Sequence, residues 1–345
     1  MKTYRIATIP GDGIGPEVIA AALPVLEVAA RRFGFALDVE RLPYGADHYL
    51  ATKETLPDHA FRHLEHDVDA ILLGAVGDPR VPGNEHARDI LLGLRFRLDL
   101  YVNLRPVVLL HPDLAALKSD KSIDFVIFRE NTEGQYLARG RITPEESVSE
   151  EVNTPKGVER IIRAAFAWAK QHGRSRVTMS DKSNAIPAHR LWQEKFTAVA
   201  AEYPGISAEH RYVDALAMEM VRDPWRFEVI VTTNLYGDIL SDLGAGLVGG
   251  LGVAASANLH PGRAGLFEPV HGSAPTLAGK NVANPFAAIL TGAMMFAELG
   301  QAEAARLLET SVRDALAAGV RTSDIGGTTG TREAAAWVAE KVGVA

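Results

Sequence analysis

"TIPGDGIGPEV", residues 8–18, follows the apolar run Tyr4–Ile9 and leads straight into a segment of helical period. It sets Gly11, Gly13 and Gly15 at alternate positions and closes with Pro16. Such a loop suits a phosphate cradle, the dinucleotide turn of a Rossmann fold, or a tight strand-to-helix turn. The Rossmann fingerprint requires G-x-G-x-x-G with an acidic residue about 20 positions on. Here the spacing is G-x-G-x-G-P, with Asp38 and Glu40 near the end of the next β-rich stretch. Pro16 suits the first helical position, where a missing N–H costs nothing. The spacing argues against a standard Rossmann site, and the tight turn remains beside the phosphate loop.

Working outward, β-rich runs recur at Tyr4–Ile9, Asp69–Leu73, Asp124–Phe128, Arg176–Met179 and "FEVIVTT" (227–233). Helix-period segments lie between them at 16–34, 155–173 and 302–319. Strands alternating with helices predict parallel βαβ units in an α/β protein. The segment 155–173 carries its own limits: Asn153-Thr154 can cap it, Pro155 sits near its first position, and Gly173 ends it. At 345 residues the chain has room for about two domains.

A net charge of −7 lacks the basic footprint of a nucleic-acid binder, though a local arginine cluster would still hold an anion. The absence of cysteine excludes disulfides, thiolate metal sites, Fe–S clusters and a cysteine nucleophile. No signal-peptide apolar core precedes the glycines, and no apolar run reaches the ~18 residues of a membrane span. "PFAAILTGAMMFAELG" (285–300) reads as a helix buried in a core or a subunit interface. These features predict a cytoplasmic protein with no membrane or nucleic-acid partner.

Three sets of residues offer chemistry. In "NLYGDILSD" (234–242), Asp238 and Asp242 stand four apart and share a face on a helix. Their local sequence, "GDILSDLGAGLVGGLG", contains no lysine or arginine. Two such carboxylates repel unless a cation joins them, and all-oxygen ligation suits Mg²⁺ or Mn²⁺. The alternative is a solvated pair on a surface helix. Arg95, Arg105 and Arg129 form the second set; Arg105 and Arg129 stand at the ends of β-rich runs, where α/β folds place ligand groups. Converging guanidinium forks would grip a di- or tricarboxylate; isolated surface ion pairs are the alternative, and Arg97 is assigned to them. The third set is Lys182, Tyr136 and Asp214. Lysine and tyrosine serve proton transfer when their surroundings shift them, and are otherwise structural.

Together, "GDGIGPEV", "LR" with "NLRP" ten residues on, "RENTEG.Y", "DKSN", "YVDA.AM", "TNLYGDILSDL", "FEPVHGSAP", "ANP" and "GGTTGTRE" closely resemble the β-decarboxylating dehydrogenases, the isocitrate/isopropylmalate dehydrogenase family. The motifs span residues 8 to 333 in order. The resemblance implies a two-domain α/β isopropylmalate-dehydrogenase-like fold, distinct from the Rossmann fold. By analogy, residues 1–98 plus 252–345 form the first, cofactor-side domain, and 99–251 the second, which carries the metal side and dimerisation. It further implies a homodimer whose active sites lie between domains and are completed by the partner subunit.

Carried over residue by residue, the resemblance gives Arg95, Arg105 and Arg129 the carboxylates of a malate-type substrate. It gives Asp238 and Asp242, with Asp214 of the other subunit, a Mg or Mn ion. Lys182 of the partner becomes the base for the C2 hydroxyl and Tyr136 the proton donor after decarboxylation. Ile14, Glu268, His271, Gly272, Thr276 and Asn284 match cofactor positions. Thr276 departs from the family pattern: NAD-preferring relatives usually carry aspartate there, and NADP-using ones often lysine. A neutral threonine supplies no charge for a phosphate, which favours NAD. Before Arg95, Ile90, Leu91 and Leu92 offer apolar contact to a 3-alkyl group, as in isopropylmalate enzymes. Asp89 stands where isocitrate enzymes commonly carry serine or threonine, and would repel a third carboxylate. "RENTEGQY" (129–136) looks more like the isocitrate, homoisocitrate and tartrate/D-malate branches. The implied substrate is a 3-substituted malate, 3-isopropylmalate foremost, with tartrate/D-malate as the alternative.

Overall fold

A computed structural model describes residues 1–344 of the chain. The chain opens with β1 (Lys2–Gly11), α1 (Gly15–Arg32), β2 (Phe35–Arg41), α2 (Ala46–Thr52), α3 (Asp58–His66), β3 (Ala70–Ala75) and α4 (Glu85–Arg97). It continues through β4 (Val102–Val108), β5 (Asp124–Glu130), β6 (Gly140–Ile142), β7 (Ser147–Ser149), α5 (Pro155–Gln171), β8 (Arg176–Asp181) and α6 (Arg190–Ala200). Then come β9 (Ser207–Tyr212), α7 (Val213–Arg222), β10 (Val229–Thr232) and α8 (Asn234–Leu247). The chain closes with β11 (Ala255–Leu259), β12 (Gly265–Pro269), α9 (Phe286–Glu298), α10 (Ala302–Ala317) and α11 (Thr331–Val344). Its contacts divide it into two compact units: Met1–Asp99, Leu110–Leu114 and Gly249–Ala345 form the first, and Leu100–Leu109 with Ala115–Val248 the second.

In the first unit the strands run β2-β1-β3-β12-β11. The pairs β1–β2, β1–β3 and β3–β12 are parallel, whereas β11 and β12 are antiparallel, so the sheet is mixed where the βαβ pattern predicts parallel pairing. All of β3, "AILLGA", is buried, as a strand covered on both faces must be. The helix α1 buries Val18, Ile19, Ala22, Val25, Leu26, Ala29 and Ala30, the stripe that a 3.6-residue period lays on one face. The segment expected at a core or a subunit interface forms α9, and it packs inside this unit against α1, α10, β11 and β12. Gly292 permits the approach to α1, since a Cβ there would stand 2.4 Å from Leu26 Cδ2.

The second unit orders its strands β4-β5-β10-β8-β9, with β4 antiparallel to β5 and the remaining pairs parallel. Strand alternation sorts β5 cleanly. Phe125 and Ile127 enter a core with Val107 of β4, Leu216 and Met220 of α7, and Leu240 and Leu247 of α8. On the other face Phe128 packs edge-on to Trp168 of α5, with ring centroids 5.8 Å apart. The expected cap of α5 forms: Thr154 Oγ accepts the Gly157 N–H at 3.0 Å. By the same alternation Arg105 and Arg129 belong to the α8 face, two positions apart diagonally in the β4–β5 register.

The opening loop is a tight turn. Gly11 and Gly13 have φ of 71° and 57°, in the left-handed region that favours glycine. A Cβ at either would meet a carbonyl oxygen, that of Ala75 at 2.0 Å or of Ser273 at 1.9 Å. The amides of Asp12, Ile14 and Gly15 already donate to Ala75, Ser273 and Asp12 carbonyls. Those N–H groups are therefore spent on the protein, which removes the phosphate-cradle reading. Asp12, absent from the sequence-based site, anchors the turn by accepting from the Ala46 and Gly77 amides and from His86 Nε2, at 2.6, 2.7 and 2.8 Å.

Candidate active site

In the second unit the acid pair on α8 meets the two arginines. Arg129 is 1% exposed, and its Nε and Nη2 donate to Asn234 Oδ1 at 3.0 and 2.8 Å. Its Nη1 donates to Asp238 Oδ1. Arg105 donates from Nε to Asn103 Oδ1 at 2.7 Å and from Nη1 to Ser241 Oγ at 2.6 Å. The same Nη1 lies 3.3 Å from Asp238 and 3.5 Å from Asp242. Tyr136 donates its hydroxyl to Asp238 Oδ2 at 2.6 Å, and the Arg129 guanidinium lies 5.0 Å from the Tyr136 ring centroid. The absence of a basic partner near Asp238 in sequence is thus corrected by the sheet, which delivers two from β4 and β5. Asn103, Asn234 and Ser241, which orient those guanidiniums, lie inside the quoted motifs without having been singled out.

Burial raises the Asp242 carboxyl above its usual range, and the negative charge of Asp238 adds to this against Arg105 and Arg129. The Asp242 side chain is 53% exposed, so its oxygens are open to solvent. This donor set fits a hard divalent cation: two carboxylates on one helix face, one open, each with a lone-pair site for an ion. Among the described residues no group of three His, Asp or Glu side chains is arranged around a single point.

Lys182 and Asp214 form an ion pair. Lys182 follows the end of β8, Asp214 lies in the first turn of α7, and Nζ stands 2.7 Å from Oδ1. The ammonium holds the Asp214 carboxyl below the usual carboxylate range.

The first unit carries the remaining predicted residues. Arg95, 4% exposed on α4, donates from Nη2 to Glu268 Oε1 at 2.7 Å, and Asn258 Nδ2 donates to the same oxygen at 2.9 Å. Its Nε is buried with no acceptor among the described residues. Leu91 and Leu92 keep partial exposure, but Ile90 is wholly buried, so the expected apolar contact reduces to two leucines. Arg97 is a surface ion pair, as expected, bonded to Asp58 at 2.7 Å and lying over Phe61.

Ile14 is held by the hydrogen bond that its backbone N–H donates to Ser273 O, which ties the glycine turn to the loop after β12. In that loop burial pushes the His271 ring below the ordinary histidine range, so it is neutral. His271 Nδ1 pairs with Gly272 O at 3.1 Å, which leaves Nε2 as an acceptor, shielded and without a partner among the described residues. A Cβ at Gly272 would meet nothing within 4 Å. An orphaned acceptor beside open backbone fits a bound polar ligand such as a dinucleotide. Thr276 is exposed in the short turn Pro275–Leu277. Asn284 is largely engaged within the protein, donating to Asp324 at 3.1 Å and accepting the Phe286 amide at 3.0 Å.

The family model for isocitrate/isopropylmalate dehydrogenase matches residues 5–340. Among curated proteins, the chain is 45% identical over 326 residues to a 3-isopropylmalate dehydrogenase of Thermobifida fusca, covering 91% of this chain and 92% of that protein. It is 46% identical over 325 residues to the 3-isopropylmalate dehydrogenase of Nocardia farcinica, covering 91% and 94%. Among solved structures, an isocitrate dehydrogenase from Methylococcus capsulatus superposes with a TM-score of 0.89 at 39% identity, covering 99% of each chain. A β-decarboxylating dehydrogenase from Thermococcus kodakarensis gives 0.82 at 35%, covering 98% and 96%.

Proposed function

The chain belongs to the isocitrate/isopropylmalate dehydrogenase family, and on that premise we propose that it oxidatively decarboxylates a 3-substituted malate, 3-isopropylmalate foremost. In this reading NAD is the oxidant and Mg²⁺ or Mn²⁺ the required ion. The observation that carries it is the convergence of Arg105, Arg129 and Tyr136 on the Asp238/Asp242 face of α8.

Arg105 and Arg129 bind the substrate carboxylates together with Arg95, whose Nε has an unused hydrogen. A divalent cation held by Asp238, Asp242 and Asp214 of the partner subunit would satisfy the two acids that now occupy the guanidiniums. When bound, the cation would supply Lewis-acid polarisation at the C2 oxygen and the nicotinamide would supply a hydride acceptor for C2. Lys182 of the partner subunit removes the hydroxyl proton. Loss of CO₂ breaks the bond from C3 to its carboxylate, and Tyr136 delivers a proton to that carbon. The neutral His271 acceptor and the Gly272 backbone contact the cofactor, joined by Ile14, Glu268, Thr276 and Asn284. Thr276 brings no positive charge for a 2′-phosphate, which supports NAD.

We infer a homodimer whose subunits share their active sites. Lys182 pairs with Asp214 at 2.7 Å, and in the homodimer this pair would be supplied to the partner's site. Met218 and Val221 of α7 and Ile239 of α8 are 51%, 41% and 59% exposed, apolar surface that a second copy would cover. Leu91 and Leu92 favour an alkyl substituent, and the exposed Asp89 disfavours isocitrate. Tartrate or D-malate is the second reading, favoured by "RENTEGQY" (129–136).

The test is a panel of 3-isopropylmalate, D-malate, tartrate, isocitrate and homoisocitrate with NAD or NADP and Mn²⁺. The highest kcat/KM is expected for 3-isopropylmalate with NAD. A preference for D-malate or tartrate establishes the second reading, and no nicotinamide reduction with any of them removes the proposal.

A further inference from the structure

Lys182 has an unusually determined backbone for a residue in a loop. Its carbonyl accepts the amides of Ala185 and Ile186 at 2.9 and 2.8 Å. Its own N–H goes to a side chain: His189 Nδ1 accepts it at 3.0 Å. His189 is fully buried, so no water competes for that nitrogen. Because Nδ1 accepts an amide hydrogen, it carries no proton, and the ring hydrogen sits on Nε2. Nε2 then donates to Glu151 Oε1 at 3.0 Å. The Glu151 oxygen also takes Asn153 Nδ2 at 3.1 Å, and Trp192 Nε1 donates to Asn153 Oδ1 at 3.2 Å. Tyr236 of α8 covers the imidazole edge-on, 5.8 Å between centroids. The residue before Lys182 is bracketed as well: buried Asp181 accepts from the Ser183 amide and from His210 Nε2 at 3.0 and 2.9 Å.

From this geometry we propose that His189 is a positioning residue for Lys182, its Nδ1 fixing the backbone from which the lysine reaches the reacting hydroxyl. The inference rests on the reading of Lys182 as the base. A lysine side chain has four rotatable bonds, so its ammonium is placed by its backbone and by whatever it meets at the tip. The tip meets Asp214, which the proposed function assigns to the cation. The backbone half of the placement is left to the His189 and Asp181 bonds. A general base works within hydrogen-bond reach of the proton it removes, and a displacement of about 1 Å can cost on the order of a hundredfold in rate. Glu151 fixes which nitrogen of His189 is free to accept, as a carboxylate commonly does for a histidine that binds through its other nitrogen.

Two substitutions separate the two bonds of this ring. In His189→Asn the amide oxygen falls near the place of Nδ1 and keeps an acceptor for the Lys182 N–H, while contact with Glu151 is lost. In His189→Gln the amide nitrogen falls near Nε2 and keeps the Glu151 bond, while the Lys182 N–H is stranded. The experiment measures kcat, KM and thermal midpoint of both variants with 3-isopropylmalate, NAD and Mn²⁺, with Lys182→Met as reference. If 3-isopropylmalate is not turned over, the best substrate of the panel replaces it. The expected result is a kcat about tenfold or more below the parent for His189→Gln with KM little changed, and a kcat within about threefold for His189→Asn. A midpoint lowered similarly in both would leave that split intact and support positioning. Equal kcat values in the two variants would overturn it, since a packing role makes activity follow stability alone. Full turnover by Lys182→Met would instead sink the assignment of the base, and the inference with it. An inactive Lys182→Met beside a His189→Gln of parental kcat sinks the inference alone.

Discussion

Asp238 is engaged by Arg129 and Tyr136 through hydrogen bonds and lies within ion-pair distance of Arg105, so its charge matters more than its shape. Asp238→Asn keeps an acceptor oxygen and removes the charge. It is expected to lower kcat by about a hundredfold or more, through loss of cation affinity and of the field around Tyr136. Initial rates across a Mn²⁺ titration check this, and a parental rate at every concentration would refute the assignment. At Arg95 the expected effect is on stability. Its side chain and that of Glu268 are 5% and 10% exposed, so Arg95→Met strands a buried carboxylate. Removing one partner of a buried pair costs about 3–5 kcal/mol, which urea unfolding measures directly. A loss below about 1 kcal/mol would mean that Asn258 alone satisfies Glu268.

At the scale of elements, α8 owes its position to what it lacks. A Cβ on Gly237 would stand 2.5 Å from Arg129 Cγ, and one on Gly244 2.7 Å from Val107 Cγ2. These glycines, seven apart on one helix face, let α8 lie against β4 and β5 closely enough for Arg129 to reach Asp238. Glycine to alanine in a helix interior ordinarily stabilises by about 1 kcal/mol. Gly237→Ala is expected to reverse that sign and to lower kcat, and a raised thermal midpoint with parental kcat would refute the packing argument.

The end of β5 makes a second prediction. Burial pushes the Glu130 carboxyl up to about 7, against the amide and hydroxyl of Thr132 and the amide of Glu133, which all donate to it. The unfolded value is near 4.5, so between these limits the folded chain binds the proton more tightly. The resulting stabilisation is complete below the unfolded value and is lost as pH rises through 7, a change of about 3 kcal/mol. Unfolding curves at pH 5 and pH 8 should show a larger decline for the parent than for Glu130→Gln, which has no proton to lose. Parallel declines would place the Glu130 titration elsewhere.

For the whole molecule, the proposed homodimer with shared active sites yields a complementation test. Lys182→Met and Asp238→Asn homodimers are both expected to be nearly inactive. Dissociated, mixed and reassembled, half of the dimers would carry both changes and one intact site each, restoring about a quarter of parental activity. Recovery of none would mean that each site draws its residues from one subunit.

The α/β class, the strand runs Tyr4–Ile9 and Asp124–Phe128, the capped helix α5 and the family were legible in residue order, because periodicity, caps and motifs are local. The mixed pairing was not, since β11 and β12 announce no direction. The acid pair was legible as a spacing and misread as unpaired, because its arginines lie on strands 109 to 137 positions away along the chain. His189 gave no signal: a lone histidine after Pro187 acquires meaning only when the loop folds back seven residues to meet Lys182. The sequence by itself determined which side chains exist to bind carboxylates, a cation and a proton, because those are properties of residue type and short spacing. Tertiary structure alone decided which of them meet. It laid α8 across β4 and β5, spent the glycine turn's amides on Ala75 and Ser273, and buried His189 against a backbone amide. Contacts between distant segments depend on strand register and close packing, and no local pattern encodes either.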